Sequence, residues 1–335
     1  MKLDVNALRY LEKDAWRTLT AVEMGLKNHE LVPVVLIERI AGLRHGGVHK
    51  QLSVLLRHKL VHHDNSKYDS YRLTYLGYDF LAIRTLVARG VIAGVGRQIG
   101  IGKESDVFEA VGPEGQPIAL KLHRLGRTSF RAVKSKRDYL RRASHFNWFY
   151  LSRLAALKEF AFMTALHQNG FRVPTPVDAN RHAVAMGMVE GYPLTQVREI
   201  GPGTAGVYAE LMGIIRRLAE HGLIHGDFNE FNLILDEDLR VTLIDFPQMV
   251  STSHPNAKEQ FDRDVNGVKR FFLRKLDFRA EDHDGLGPDP SLEEARATAR
   301  AEASGIDREL RASGFSRQHE EDLEAALAAG GGEEG

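Results

Sequence analysis

The chain has 335 residues, a formal net charge of zero and no cysteine. These totals exclude a disulfide framework and a thiolate metal site, and the length suits about two or three domains. No apolar run approaches the ~20 residues that span a bilayer, so we expect no membrane partner and a cytoplasmic location, with nuclear passage if the source is eukaryotic. The neutral total hides an asymmetry, because residues 1–150 carry a net charge of +11 and residues 280–335 one of −10. The basic front favours a polyanionic partner.

The first ninety residues have the pattern of a winged helix-turn-helix. The predicted elements are helices at 6–27, 34–41 and 48–59, short strands at 60–63 and 70–73, and a closing helix at 76–88. This order is typical of nucleic-acid binding through the third helix and the wing. A scaffold that docks protein explains the same order equally well.

A β-rich region with a glycine-rich turn is predicted to follow from Val91. Strands are expected at 106–111 and 117–123, joined by a hairpin at Pro113–Gly115. The stretch GIGKESDV (100–107) begins with two glycines, Gly100 and Gly102. Glycines allow backbone N–H groups to approach phosphate oxygens without a Cβ clash. Taken alone, this pattern also fits an ordinary hairpin.

Lys121 lies within the second of those strands, in an apolar setting where an unpaired lysine is costly. In a nucleotide site the lysine would hold phosphates and pair with a glutamate of the following helix. Glu159, on a helix predicted at 148–168, is the candidate for that glutamate; alternatively it is a surface carboxylate. A basic loop at 127–147 separates the two elements.

The remaining elements alternate short strands with helices. We predict two strands within 171–194 around a hairpin at Asn180–Arg181, a helix at 204–221, strands at 233–235 and 241–245, and helices at 262–277, 291–303 and 316–329.

The most informative motif is an Asp-x₄-Asn followed by a second aspartate after an apolar strand. Asp227 and Asn232 form the first part, and Asp245 stands 18 residues beyond Asp227. This spacing favours phosphoryl transfer, in which Asp227 orients or deprotonates the attacking hydroxyl or water. Asn232 and Asp245 would supply oxygen ligands to Mg²⁺. Asp264 either supports the catalytic loop by accepting its backbone N–H groups or simply caps a helix.

Five motifs together resemble the RIO family of atypical serine/threonine protein kinases, in its branch with an N-terminal winged helix. They are GIGKESDV (100–107), ALKLHRLGRTSFR (119–131), HGDFNEFN (225–232), LIDFPQMVS (243–251) and HPNAKEQFDRDV (254–265). The resemblance implies an α+β chain with a winged helix-turn-helix over 1–90 and a compact bilobal, protein-kinase-like RIO domain over 91–279. Its small lobe would span about 91–190 and its large lobe about 191–279, and an acidic helical tail would occupy 280–335.

The resemblance also assigns roles. It implies ATP and Mg²⁺ as cofactors, Asp227, Asp245 and Lys121 as catalytic residues, and Asn232 and Asp245 as metal ligands. The nucleotide would contact Gly100, Gly102, Lys103, Ser105, Val107, Lys121, Glu159, Met186, Met188 and Glu190. Asp245 would become transiently phosphorylated in an ATPase cycle. Implied partners are the pre-ribosomal small subunit and its rRNA, whose maturation the family serves, and the chain's own serines and threonines by autophosphorylation. The free protein would be a monomer.

Two other functions fit parts of the pattern. A small-molecule phosphotransferase of the aminoglycoside or choline kinase type shares the His-Gly-Asp, Asn and Asp core, but it would place a helical substrate pocket in its C-terminal part and has no winged helix. A non-catalytic binding module is opposed by the joint presence of Lys121, Asp227, Asn232 and Asp245. The acidic tail is either a solvated end or a segment that folds back on the basic surface.

Overall fold

The computed structural model describes residues 10–44, 47–125, 148–298 and 318–323. The chain divides into two compact units, one made of Met1–Leu157, Val177–Ala185 and Gln318–Gly335, the other of Lys158–Pro176 and Met186–Arg317. The basic loop predicted at 127–147 and most of the helix predicted at 316–329 lie outside the described residues. Within the described ranges, none of the helices has both the length and the apolar character that a bilayer crossing requires.

The first unit opens with the predicted winged helix-turn-helix. Its elements are α1 (Lys13–Gly25), β1 (Val32–Pro33), α2 (Val34–Ala41), α3 (Gly47–Arg57), β2 (Val61–Asp64), β3 (Ser70–Leu73) and α4 (Tyr75–Ala88). The three strands form an antiparallel sheet in the order β1-β3-β2. Within the described residues, the helix predicted at 6–27 begins at Lys13, because the backbone of Glu12 is extended; residues 6–9 of that prediction lie outside the described part. Strand β1 is missing from the prediction, since two residues give no alternation to detect.

Helix α4 is buried on both faces, which makes it the shared core element of the first unit. Tyr78, Phe80 and Leu81 pack into the core of the winged helix. Ala82, Ile83 and Leu86 pack instead against the strands of the neighbouring sheet. Burying a side chain such as Ile83 or Leu86 stabilises a fold by about 1.5–3 kcal/mol relative to its exposure. Helix α4 therefore contributes to two separate apolar clusters, one within the winged helix and one with the sheet.

A five-stranded sheet follows in the chain. It consists of β4 (Gly94–Ile101), β5 (Ser105–Val111), β6 (Pro117–His123), β7 (Pro176–Asn180) and β8 (Ala183–Gly187), in the order β4-β5-β6-β8-β7. The predicted strands at 106–111 and 117–123 and the two predicted hairpins are confirmed. Gly115 adopts a φ of +86° in the first hairpin, a conformation that favours glycine. Helix α5 (Trp148–Gln168) connects β6 to β7 and crosses from the first unit into the second.

The second unit is mainly helical. Its elements are β9 (Tyr192–Pro193), α6 (Thr204–Glu220), β10 (Leu223–Ile224), β11 (Leu233–Leu235), β12 (Val241–Leu243), β13 (Val250–Ser251), α7 (Ala257–Leu276) and α8 (Leu292–Thr298). The strands form two small sheets, β12-β11-β9 and β10-β13. The helix predicted at 262–277 begins at Ala257 instead, because buried Ala257 and Phe261 extend its apolar face by one turn. The strand predicted at 241–245 ends at Leu243, before the left-handed backbone of Asp245.

Candidate functional site

Within the first unit, the glycine-rich motif forms a tight turn between β4 and β5. The N–H of Gly102 donates to the carbonyl of Ser105 at 2.8 Å. A Cβ at position 102 would lie 3.3 Å from that carbonyl oxygen, so glycine is the residue that fits without adjustment. Gly100 pairs with Val107 across the two strands, Lys103 is exposed and Ser105 is half-buried. The turn is thus short and its backbone is exposed, as in turns that surround phosphate groups.

Lys121 lies on β6, beside the strand that follows the turn. It pairs in register with Val107 on the neighbouring strand, and only 7% of its surface is exposed. Glu159 lies on α5 in the second unit and is 1% exposed, so its interpretation as a surface carboxylate is wrong. Because Lys121 and Glu159 belong to different units, their pairing stays a prediction.

Three of the predicted nucleotide contacts, Met186, Met188 and Glu190, lie at and just beyond the end of β8. Met186 is buried, Met188 is half-buried and Glu190 is exposed. The N–H of Gly187 donates to the carbonyl of Thr175 at 2.8 Å, which holds the segment in place within the second unit. Met188 and Glu190 line a polar cleft of about 320 Å³. Their contact with a nucleotide stays a prediction.

The motif that contains Asp227 and Asn232 forms the loop between β10 and β11. Asn232 donates from Nδ2 to Asp227 Oδ2 at 2.8 Å and to the Asp227 backbone carbonyl at 2.9 Å. Asn229 donates from its own Nδ2 to Asp227 Oδ1 at 2.7 Å. Both carboxylate oxygens of Asp227 are therefore held in place. Asn229 was not predicted as a site residue. Its position two residues after Asp227 is a signal that could have found it, because a polar side chain at that spacing can hydrogen-bond back to the aspartate.

Asp264 supports this loop from α7. Its carboxylate accepts the backbone N–H of Gly226 at 2.9 Å and that of Phe228 at 3.0 Å. The support interpretation is thus confirmed, and the helix-cap interpretation is wrong because Asp264 lies well inside α7. Gly226, a second residue missed in the sequence, has a φ of +78°, and a Cβ there would approach the Gln248 carbonyl oxygen to 2.9 Å. Asp264 therefore holds the backbone on either side of Asp227.

Burial raises the pKa values of two carboxyl groups at this loop, those of Asp227 and Asp264. Partial removal of its carboxylate from water raises the pKa of Asp227, and the negative charge of Asp245 adds to that rise, while the amides of Asn232 and Asn229 oppose it. Burial likewise raises the pKa of Asp264 to about 6, against the two backbone hydrogen bonds that favour its charged form. Carboxylates that repel one another in this way are stabilised by a cation.

Asp245 stands next to this loop with an unusual backbone. Its φ is +69°, a left-handed conformation that non-glycine residues rarely adopt and that clusters at functional sites. The preceding residue, Ile244, donates its N–H to the carbonyl of Asn232 at 2.9 Å, which ties the two segments together. Asp227, Asn232 and Asp245 therefore lie close together, as the sequence predicts.

The donor set fits Mg²⁺. Asn232 uses its nitrogen for Asp227, and among the described residues nothing donates to its Oδ1, which remains available as an oxygen ligand. Within the part of the chain that the structure describes, no cluster of three or more His, Cys, Asp or Glu side chains could hold a metal unaided. Mg²⁺ commonly binds through one or two carboxylates together with substrate phosphates, which agrees with this sparse set.

Another cleft of the second unit lies apart from the predicted site residues. It measures about 740 Å³ and follows α7 between Tyr208 and Phe278. None of the predicted site residues lines it.

Comparison with known proteins gives matches over almost the whole chain. The RIO domain model matches residues 106–284, and the model of the Rio2 N-terminal domain matches residues 8–89. The serine/threonine-protein kinase rio2 of Dictyostelium discoideum is 52% identical over 97% of this chain and 60% of its own length. The RIO2 kinase of Caenorhabditis elegans is 50% identical over 98% of this chain and 60% of its own length. This chain thus spans about 60% of these two relatives.

A solved structure is similar over its full length. The crystal structure of the Rio2 kinase from Chaetomium thermophilum, an ADP/Mg²⁺-phosphoaspartate complex, has a TM-score of 0.85 and 49% identity and covers 98% of both chains. The rio2 kinase of Schizosaccharomyces pombe is 48% identical over 97% of this chain and 92% of its own length. The winged helix followed by the kinase-like domain is therefore the arrangement that these proteins share.

Proposed function

Because this chain belongs to the RIO family, in its branch with an N-terminal winged helix, we propose that it is a serine/threonine kinase and ATPase that uses ATP and Mg²⁺. The observation that carries the proposal is the convergence of Asp227, Asn232 and Asp245 around a loop whose carboxylates repel one another. We also propose a winged helix over 1–90, a RIO domain over 91–279 with lobes about 91–190 and 191–279, and a tail over 280–335. The matches of the two family models, at 8–89 and 106–284, support the presence of the first two domains.

The roles follow from the chemistry of each residue. The backbone of the turn at Gly100 and Gly102, with Lys103, Ser105 and Val107 beside it, would surround the phosphates, and buried Lys121 would neutralise them. Asn232 and Asp245 would hold Mg²⁺, which supplies positive charge to the phosphates. Asp227, oriented by Asn232 and Asn229, would position the attacking group and accept its proton.

Asp245 is also the residue to which a phosphoryl group would be transferred. One of its carboxylate oxygens attacks the γ-phosphorus, the bond from that phosphorus to the β–γ bridging oxygen breaks, and ADP leaves. Water then attacks the acyl phosphate, releases inorganic phosphate and restores the carboxylate. The Chaetomium thermophilum relative forms a complex with ADP, Mg²⁺ and a phosphoaspartate, which supports this route. The left-handed backbone at Asp245 supports it as well, since such strain is typical of reacting positions.

We assign the pre-ribosomal small subunit and its rRNA as partners. The support is the charge of the winged helix, which exposes Lys50 and Arg57 on α3 and Lys67 and Arg72 on and beside the wing. These cations can neutralise phosphates of a nucleic acid. The same winged helix argues against a small-molecule phosphotransferase of the aminoglycoside or choline kinase type. The chain's own serines and threonines would be phosphorylated in the absence of other acceptors.

Phosphate release from ATP tests the proposal. We expect the wild-type protein with Mg²⁺ to hydrolyse ATP, and Asp227→Ala and Asp245→Ala to lose on the order of 100-fold or more of that activity. Asp238→Ala is the matched control, because Asp238 is an exposed aspartate of the same unit outside the loop, and it should keep wild-type activity. If the wild type hydrolyses no ATP, with or without pre-ribosomal RNA, the enzyme proposal fails.

A further inference from the structure

Arg124 forms buried ion pairs with two different parts of the first unit. It immediately follows β6 and is 4% exposed. Its Nη1 and Nη2 atoms donate to Oδ1 and Oδ2 of Asp79 at 2.5 and 2.8 Å, and its Nε donates to Asp106 Oδ2 at 3.0 Å. Asp79 belongs to α4 of the winged helix and Asp106 to β5, and both are buried. One guanidinium thus connects the winged helix to the strand that follows the glycine-rich turn.

The backbone of the same residue closes that turn. The N–H of Arg124 donates to the carbonyl of Glu104 at 2.5 Å. The adjacent residue, His123, pairs in register with Ser105. Arg124 is also only three residues beyond Lys121, which lies within β6. The position of Arg124 therefore sets both the shape of the turn and the end of the strand that carries the lysine.

A histidine completes the cluster. His182 Nε2 lies 2.8 Å from Asp79 Oδ1 and 3.2 Å from Arg124 Nη1, and its ring stacks on Tyr78 with centroids 4.4 Å apart. Its backbone carbonyl accepts the N–H of His123 at 2.9 Å. A neutral ring that donates from Nε2 satisfies Asp79 without adding a fourth charge to Asp79, Arg124 and Asp106. The cluster is thus tied to the hairpin between β7 and β8 as well.

Apolar contacts already join α4 to the sheet, so the buried charges are not needed merely to hold the two together. Ile83 and Leu86 of α4 pack against Phe108 and Leu120 of the sheet. Buried ion pairs commonly stabilise a fold no better than apolar side chains of similar volume, whereas their geometry is far more directional. The network is suited to fixing one defined relation between α4 and the turn.

Asp79 lies close in the chain to the parts of the winged helix that would contact a nucleic acid. It lies in the second turn of α4, one turn after Thr74, which directly follows the wing strand β3. The Thr74 hydroxyl donates to the carbonyl of Lys59, just beyond α3, and accepts the N–H of Gly77 in α4. The start of α4 is thus linked by a hydrogen bond to the segment after α3 and through the chain to β3, so a shift of either element would reach Asp79 along α4.

We propose that the chain Asp79–Arg124–Asp106 couples RNA binding at the winged helix to nucleotide affinity at the glycine-rich turn. These are positioning residues, since they act through the turn and not on the nucleotide itself. The proposal rests on the proposed function, because it requires that the turn bind a nucleotide. Such coupling is reciprocal: RNA changes the affinity for nucleotide by the same factor by which nucleotide changes the affinity for RNA.

The test is a linkage measurement on the full chain. The dissociation constant of a fluorescent ADP analogue with Mg²⁺ is measured without RNA and with a saturating RNA hairpin, and the converse titration is measured as well. We expect a coupling factor of at least about fivefold in the wild type. In Asp106→Asn, which keeps the shape of the side chain but removes the negative charge that pairs with Arg124, we expect the coupling factor to lie within about twofold of one. Arg124→Lys, which keeps the charge and loses the fork of donors, should behave in the same way.

Arg89→Ala is the matched control. Arg89 also joins the end of α4 to the sheet, through Asp178 at 2.9 Å, but this pair is more exposed and lies on β7, away from the turn. We expect this variant to keep the wild-type coupling. A folded Asp106→Asn or Arg124→Lys that keeps the wild-type coupling overturns the proposal, and so does a wild type whose two ligands bind independently. A wild type that binds no nucleotide overturns the proposed function together with it, which distinguishes the two failures.

Discussion

Asn232 donates from Nδ2 to Asp227 Oδ2 at 2.8 Å, so the proposed metal ligand also orients the proposed catalytic carboxylate. Asn232→Ala removes this bond and an oxygen ligand in one step. We expect ATP hydrolysis or Mg²⁺ affinity to fall on the order of 10- to 100-fold. Titration of activity with Mg²⁺ measures the effect. Asn266→Ala, an exposed asparagine of α7, is the control and should match the wild type.

Gly226→Ala should destabilise the catalytic loop. The residue has a φ of +78°, and a Cβ there would lie 2.9 Å from the Gln248 carbonyl oxygen. We expect a loss of about 1–3 kcal/mol in the free energy of unfolding, together with reduced activity. Gly213→Ala provides the opposite case, because Gly213 lies in α6 and a Cβ added to it would have no neighbouring atom within 4 Å.

Gly213→Ala should stabilise the protein by about 0.5–1 kcal/mol, as alanine does in a helix interior. Urea unfolding of both variants measures the difference. If Gly226→Ala is as stable and as active as Gly213→Ala, the left-handed backbone next to Asp227 is not required.

His182 should make stability depend on pH. Burial lowers its pKa to about 4, although the neighbouring Asp79 opposes the shift. The folded state keeps the ring neutral while the unfolded state binds a proton below about pH 6.5. The contribution is therefore present above about pH 6.5 and is lost as the pH falls towards about 4.

The measurement is urea unfolding at pH 7.5 and pH 5 for the wild type and His182→Gln, which keeps a donor for Asp79 but does not titrate. Relative to the variant, the wild type should lose on the order of 2 kcal/mol between these pH values. Equal pH dependence in the two proteins would show that the ring binds its proton at the same pH in the folded and unfolded states, so that burial does not lower its pKa.

RNA affinity should fall steeply with salt, because the exposed cations of the winged helix would displace counterions from phosphates. Removing Lys50 and Arg57 together should reduce the slope of log affinity against log salt by about 2. The control is Arg97→Ala, an exposed arginine on β4 that pairs with Glu109 at 2.9 Å. An affinity that is indifferent to salt contradicts a polyanionic partner.

The sequence predicts the catalytic loop better than it predicts what surrounds the loop. Asp227, Asn232 and Asp245 lie within 20 residues, so spacing and flanking strands determine their proximity. Asp264 could not be assigned, because the start of α7 depends on how Ala257 and Phe261 pack. Strands of two residues such as β1 and β9 leave no periodic signal.

Long-range pairs are also invisible in a single sequence. Arg124 and Asp79 are 45 positions apart, and His182 and Asp79 are 103 apart. In the sequence Arg124 is one more cation of a basic region and Asp79 one acid within an apolar helix. Only tertiary packing shows that they form one buried network.

Phosphoryl transfer to Asp245 is tested by incubation with γ-labelled ATP and Mg²⁺, followed by denaturation and treatment with hydroxylamine. An aspartyl phosphate on Asp245 predicts a label on the wild type that survives acid and is released by hydroxylamine. The label should be absent from Asp245→Ala and present on Asp238→Ala. A hydroxylamine-labile label that persists on Asp245→Ala contradicts phosphoryl transfer to Asp245. A wild type with neither label nor ATP hydrolysis contradicts it as well.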